Sequence, residues 1–151
     1  MVQWLAGHGG SVTQQSDDGC TPLYGAAEGG HLEVVQWLAG HGGSVTQPTN
    51  AGNTPLLIAA QQGHLAVVQW LAGHSGSVTQ PSNHGWTPIH AAAQEDHLAV
   101  VQWLAGNGGS VAQPTSKGFT PLCIAAEMGH LAVVQWLAGH GGSVTQPTNN
   151  G

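Results

Sequence analysis

Cations are almost missing from this chain: Lys117 is its one Lys or Arg, set against seven Asp and Glu, for a net charge of −6. Phosphate backbones and anionic lipid surfaces are bound largely through Lys and Arg that displace counterions, so nucleic acid and membrane surfaces are poor partners. Charged residues of either sign reach only 5%, against a usual ~25%, which excludes charged disordered tails and long coiled coils. Long apolar runs are absent as well. No segment approaches the ~20 residues of a bilayer span, and the opening M-V-Q-W-L-A-G-H has neither the basic flank nor the apolar length of a signal peptide. The chain also lacks an Asn-X-Ser/Thr acceptor, Asn53 to Pro55 reading N-T-P, in keeping with a cytoplasmic protein. Two cysteines do not make a disulfide framework. What the chain does have is Gly, 24 residues of it, and 40% hydrophobic residues in a length of 151, enough for one domain with a real core.

A 33-residue period organises the whole chain: Trp4, Trp37, Trp70, Trp103 and Trp136 all sit in the string V-Q-W-L-A-G. Thr21, Thr54, Thr87 and Thr120 open T-P-L or T-P-I at the same step. Residues 1–151 therefore form a single repeat domain, with a partial unit at 1–16, full units at 17–49, 50–82, 83–115 and 116–148, and the start of another at 149–151. The spacing predicts two short helices and a turn per unit. Thr21 is an N-cap with Pro22 at the first helical position, and this helix runs through Leu23, Ala26 and Ala27 to Gly29 and Gly30. The second helix covers about Leu32 to Ala39, placing Leu32, Val34, Val35, Leu38 and Ala39 on one arc opposite Glu33 and Gln36. Gly40 stands where a helix end favours positive φ, and H-G-G-S-V-T-Q-P-T-N-x-G supplies a polar projecting turn. Helices this short are unstable alone, and neither buries its apolar face within one unit, so stacking is obligatory.

The period, the T-P-L opening and the helix-turn-helix-turn layout resemble the ankyrin repeat family over essentially the whole chain. The fold class this implies is an all-α, ankyrin-type α-solenoid. The third unit, Gly85 to Leu104, lies close to the family pattern and includes its characteristic His at His90, which in the family ties neighbouring units together by hydrogen bonds; Tyr24, Leu57 and Cys123 depart from it. S-V-T-Q also replaces the acidic residue and Asn usual in the outer loop.

The units differ from one another mainly on the turn before each T-P and at the end of the first helix. In proteins this chain resembles, these places form the concave partner-binding surface. The resemblance thus implies partner-binding roles for Asp17, Asp18, Cys20 and Glu28; Asn50, Asn53, Gln61 and Gln62; Asn83, His84, Trp86, Gln94 and Glu95; and Ser116, Lys117, Phe119, Glu127 and Met128. Recent duplication followed by drift at exposed positions accounts for the same pattern. Chemistry leans toward recognition. Asp17, Asp18, Glu28, Glu95, Asp96 and Glu127 lie on or beside that face, and Trp86 and Phe119 are its aromatic anchors, exposed Trp being typical of binding hot spots. An acidic groove with two such anchors suits a partner with a basic and apolar segment.

The repeated tryptophans read as scaffold, half-buried between adjacent second helices and about 8–10 Å apart. The histidines repeat as His31, His64, His97 and His130, read as capping or hydrogen bonding, and as His8, His41, His74 and His140, read as solvated, with Asn107 filling the gap. Equivalent residues one helix spacing apart are too distant to share a metal ion, so no metal or other cofactor is expected. Cys20 and Cys123 fall roughly 30 Å apart at ~10 Å per unit, well beyond the ~7 Å a disulfide spans, and remain free thiols. G-H-G-G-S follows a helix and lacks the Lys of a phosphate loop, and Asp17-Asp18 and Glu95-Asp96 have no cleft to desolvate them, so the chain reads as a non-enzyme. The expected function is binding of another protein, with a structural spacer and the regulatory segment of a larger enzyme or channel as alternatives. Met1 in the place of Val34, with Trp4 and Leu5 exposed and no polar capping unit, further reads as part of a longer repeat protein.

Overall fold

A computed structural model describes residues 11–142, and among them are eight helices and no strand. They come in pairs: α1 (Pro22–Gly29) with α2 (Leu32–Gly40), α3 (Pro55–Gln61) with α4 (Leu65–Ala72), α5 (Pro88–Gln94) with α6 (Leu98–Gly106), and α7 (Pro121–Glu127) with α8 (Leu131–Gly139). The expectations for Met1, Trp4, Leu5 and His8 lie outside the described residues.

Each first helix starts as the T-P pair dictates. Thr21, Thr54 and Thr120 hold extended backbone and accept the amides of Tyr24, Leu57 and Cys123 at 3.1, 3.1 and 3.2 Å, with Pro following at the first helical position. The buried alanines, Ala27, Ala59, Ala60, Ala92, Ala93 and Ala125, let first helices pack closely side by side, while second helices touch one another only sparsely. The slab is thereby tighter on its first-helix side. One continuous core runs between the layers, from Leu23 and Val35 through Leu56, Leu71, Ile89 and Leu104 to Leu122 and Leu137.

Two details of the second helices depart from expectation. Gly40 does not take the left-handed conformation; the helix runs through it, and the reversal comes at Gly42, with φ +97°. The carbonyl of Leu38 sets this position, since it accepts from both His41 N (3.1 Å) and Gly43 N (2.8 Å) and so places the left-handed residue between them. Nor are His41, His74 and His140 merely solvated. Their rings stack on Trp37, Trp70 and Trp136 at centroid distances of 3.9, 3.8 and 4.0 Å, and each Nδ1–H donates to the carbonyl of that tryptophan at 2.7–2.8 Å. Each tryptophan is half-buried against the core as expected, but the ring it meets belongs to its own unit. Equivalent reversals at Gly108 and Gly141 have φ of +104° and +99°, whereas in the second unit Ser75 holds φ +82°.

A side chain in the left-handed region is strained where glycine is not. Ser75→Gly should therefore stabilise the protein by about 0.5–1 kcal/mol, read as a higher urea midpoint with unchanged slope. An unchanged or lower midpoint would mean that Ser75 gains something locally that offsets the strain.

Candidate partner-binding surface

The turns that precede the T-P pairs are closed by their own backbones. Ser16 N donates to Cys20 O, Thr49 N to Asn53 O, Ser82 N to Trp86 O and Thr115 N to Phe119 O, all at 2.8–2.9 Å. Cys20, Asn53, Trp86 and Phe119 thus occupy one register position along the array, and all four are half-buried. A second set of bonds joins turn to turn: Asn50 N to Asp18 O, Asn83 N to Ala51 O and Ser116 N to His84 O, at 2.9, 2.9 and 3.0 Å. Asn50 and Asn83 reinforce this ladder with their side-chain amides, donating to Asp17 O and Asn50 O at 2.9 Å each. Their amides are occupied in holding neighbouring turns in line.

Trp86 stands at the junction of three open depressions. One, of about 210 Å3, is lined by Asn53, Gln61, His84, Trp86 and Gln94, over a floor that includes Leu57 and Ala91. A second, of about 120 Å3, lies between Trp86, Gln94, Phe119, Ile124, Glu127 and Met128. The third, about 420 Å3, is bordered by His84, Trp86, Thr115, Ser116, Lys117 and Phe119. Ten of the sequence-selected residues therefore converge on one stretch of surface. The others, Asp17, Asp18, Cys20, Glu28, Asn50, Gln62, Asn83 and Glu95, do not line these depressions. Leu57, Ala91 and Ile124 were missed because each lies in a helical apolar pattern that reads as core; nothing in the sequence separates a groove floor from an interior.

His90 fixes the middle of this surface. Thr87 N donates to its Nδ1 at 3.0 Å, with Thr87 Oγ1 2.8 Å from the same nitrogen, so the ring proton sits on Nε2 and is donated to Gln113 O (2.8 Å) and Phe119 O (3.2 Å). The imidazole thus joins the cap of α5 to the next turn, beneath the Trp86 ring, whose centroid is 5.9 Å away. Burial pushes its pKa down to about 4, the two carbonyls opposing that shift. In the first unit Tyr24 takes the equivalent place. Burial, with added repulsion from Cys20 and Glu28, pushes its phenol up to about 12, the nearby Asn53 side chain opposing that shift.

Two further histidines work between units. His64 Nε2–H donates to Glu28 O at 3.0 Å and His130 Nε2–H to Gln94 O at 2.8 Å, while neither side chain caps its own helix. Of that series, His64 and His130 are hydrogen-bonded, to the end of the preceding first helix because the ring projects across the unit boundary, and His31 and His97 do not cap their helices either. Asp96, left-handed at φ +64° where other units have Gly30, Gly63 and Gly129, brings its carboxylate 3.9 Å from His130 Nδ1. Cys20 and Cys123 are free thiols. Among the described residues no group of His, Cys, Asp and Glu could hold a metal ion, and no helix is long and apolar enough to cross a membrane.

Two predictions follow from these bonds. Asn83→Ala should lower stability by about 1 kcal/mol, the net worth of an ordinary hydrogen bond, measured by urea unfolding; a variant as stable as the parent would free Asn83 for contact alone. His90 is held neutral, so between pH 6.5 and pH 4 the unfolded chain binds a proton that the folded one refuses. Its contribution is complete above pH 6.5 and is lost as pH falls toward 4, by up to about 3 kcal/mol. His90→Leu, which installs the residue of the second unit, should flatten the urea midpoint over that interval relative to the parent.

The family model described as "Ankyrin repeats (3 copies)" matches this chain twice, over residues 1–82 and 74–148. A search of curated proteins finds no match.

Proposed function

Because the chain belongs to the ankyrin repeat family, whose arrays are generally protein–protein interaction modules, we propose that it binds a partner protein on the surface formed by its turn tips and first helices, with Trp86 as the anchor and no chemical change to the partner. The observation that carries this reading is the position of Trp86, shared by three adjoining depressions and backed by a buried imidazole. A large ring already held in place loses little freedom on binding, which is what makes Trp effective at the centre of an interface.

The chemistry of the partner follows from the walls. Trp86, Phe119, Ile124 and Met128 offer apolar surface with the Glu127 carboxylate at the rim. A Lys or Arg side chain matches both parts, its methylene stem against the apolar wall and its cation near Glu127 and the indole face. Six of the seven carboxylates lie on the turns or around the ends of the first helices, giving a field that hastens the approach of a basic segment more than it tightens the complex.

A displayed random-peptide library selected on the protein tests this directly. The enriched peptides should carry Lys or Arg beside an apolar residue, lose at least tenfold in affinity against Trp86→Ala, and bind a few-fold more weakly as salt rises from 50 to 300 mM. Peptides that bind the Trp86→Ala protein equally well would overturn the assignment.

A further inference from the structure

The opposite layer carries a second feature that partner binding on the first helices does not use. Three tryptophans of the second helices are covered by a stacked imidazole from their own exit loop. In the third unit the stacking residue is replaced by Asn107. Its amide preserves the hydrogen bond, Nδ2–H donating to Trp103 O at 2.7 Å, but among the described residues no aromatic ring stacks on Trp103. An open depression of about 370 Å3 lies at that place, bordered by Gln69, Gly73, Gly76, Val78, Trp103 and Asn107. It forms where the second helices of units two and three stand apart. Ser75, the strained departure from glycine, belongs to the loop on its far side. Two breaks in an otherwise repeated layout thus flank one depression.

We propose that the uncovered Trp103 face is a binding site for an uncharged planar heteroaromatic ring. The sibling units supply the template, since an imidazole ring lies nearly parallel to the same indole, at interplanar angles of 14–17°, wherever the histidine is present. An indole face favours an offset-stacked ring over a saturated one of equal area. The lining contains no charged side chain, so an ionic group would lose hydration there without gaining a counter-charge. Gln69 and Asn107 instead offer neutral amides at the rim, suited to ring nitrogens. The space exceeds a single five-membered ring and admits a fused pair.

Benzimidazole at pH 7.5 is a suitable probe, followed through the indole N–H signals of the full chain by NMR. The Trp103 signal should shift saturably with a dissociation constant on the order of millimolar, as expected for nine heavy atoms on an open face. The signals of Trp37, Trp70 and Trp136 should move at least tenfold less. Asn107→His, which restores the sibling residue and so is compatible with the fold, should abolish the Trp103 shift, and cyclohexanol should not produce it. N-acetylhistidinamide at pH 8 separates the sources of such a ring: tighter binding than benzimidazole assigns the site to a side chain of a partner, weaker binding to a free small molecule. Equal shifts at all four indoles, or a response that survives Asn107→His, would overturn the proposal. Trp86→Ala should leave this titration unchanged, so its outcome is independent of the partner surface.

Discussion

Everything in this fold depends on one unit covering the next. Seven to nine residues per helix are too few to be stable alone, and the apolar faces of a pair are closed only when the neighbouring pair lies against them. The bonds that set the alignment are correspondingly between units: the turn ladder through Asn50, Asn83 and Ser116, and the cross-boundary donations from His64 and His130. The rungs from Asn50 N, Asn83 N and Ser116 N run from backbone to backbone, so that part of the ladder recurs whatever side chains the turns carry. That freedom is what allows Cys20, Asn53, Trp86 and Phe119 to occupy one position with four different chemistries.

The period, the helix pairs and the Thr caps were legible in the sequence because each rests on local rules. A Thr-Pro start and a 3.6-residue apolar arc are properties of a few consecutive residues, and repetition of the same string four times removes the usual ambiguity of short helices. What was not legible depends on relations across units or on exact loop geometry. Gly40 looked like a helix end because the sequence does not say which glycine of a run reverses the chain; the two amides converging on Leu38 O decide it. His41 looked solvated because stacking on Trp37 requires knowing how the exit loop turns back. Asn50 and Asn83 were selected as variable exposed positions, yet their amides are committed to the neighbouring turn. Variation between copies marks where the scaffold tolerates change, and only part of that tolerance is available to a partner.

Histidine shows how far context governs role in this chain. The same side chain stands buried and neutral at His90, bridges units at His64 and His130, and lies on an indole at His41, His74 and His140. In each case a ring nitrogen meets a backbone carbonyl. With Lys and Arg almost absent, imidazole supplies the side-chain donors that cross from one unit to the preceding one at His64 and His130. A repeat protein stapled by Lys–Glu pairs would lose that cohesion in salt; one stapled by imidazole-to-carbonyl bonds is far less exposed to screening.

The two layers then divide the work. Close packing of the first helices leaves their far edge and the turns as a continuous surface, where Trp86 and its neighbours are held from below by His90. The second helices touch one another only sparsely, and three of them end in a Trp–His pair stacked within the unit. A surface of the first kind tolerates substitution at each unit, because the ladder beneath it is backbone. In the second layer a change in one side chain is felt within its own unit: Asn107 keeps the hydrogen bond to the Trp103 carbonyl but supplies no ring to stack on the indole. Stacking thus presents a varied row of turns on one side and a nearly repeated layer of second helices on the other.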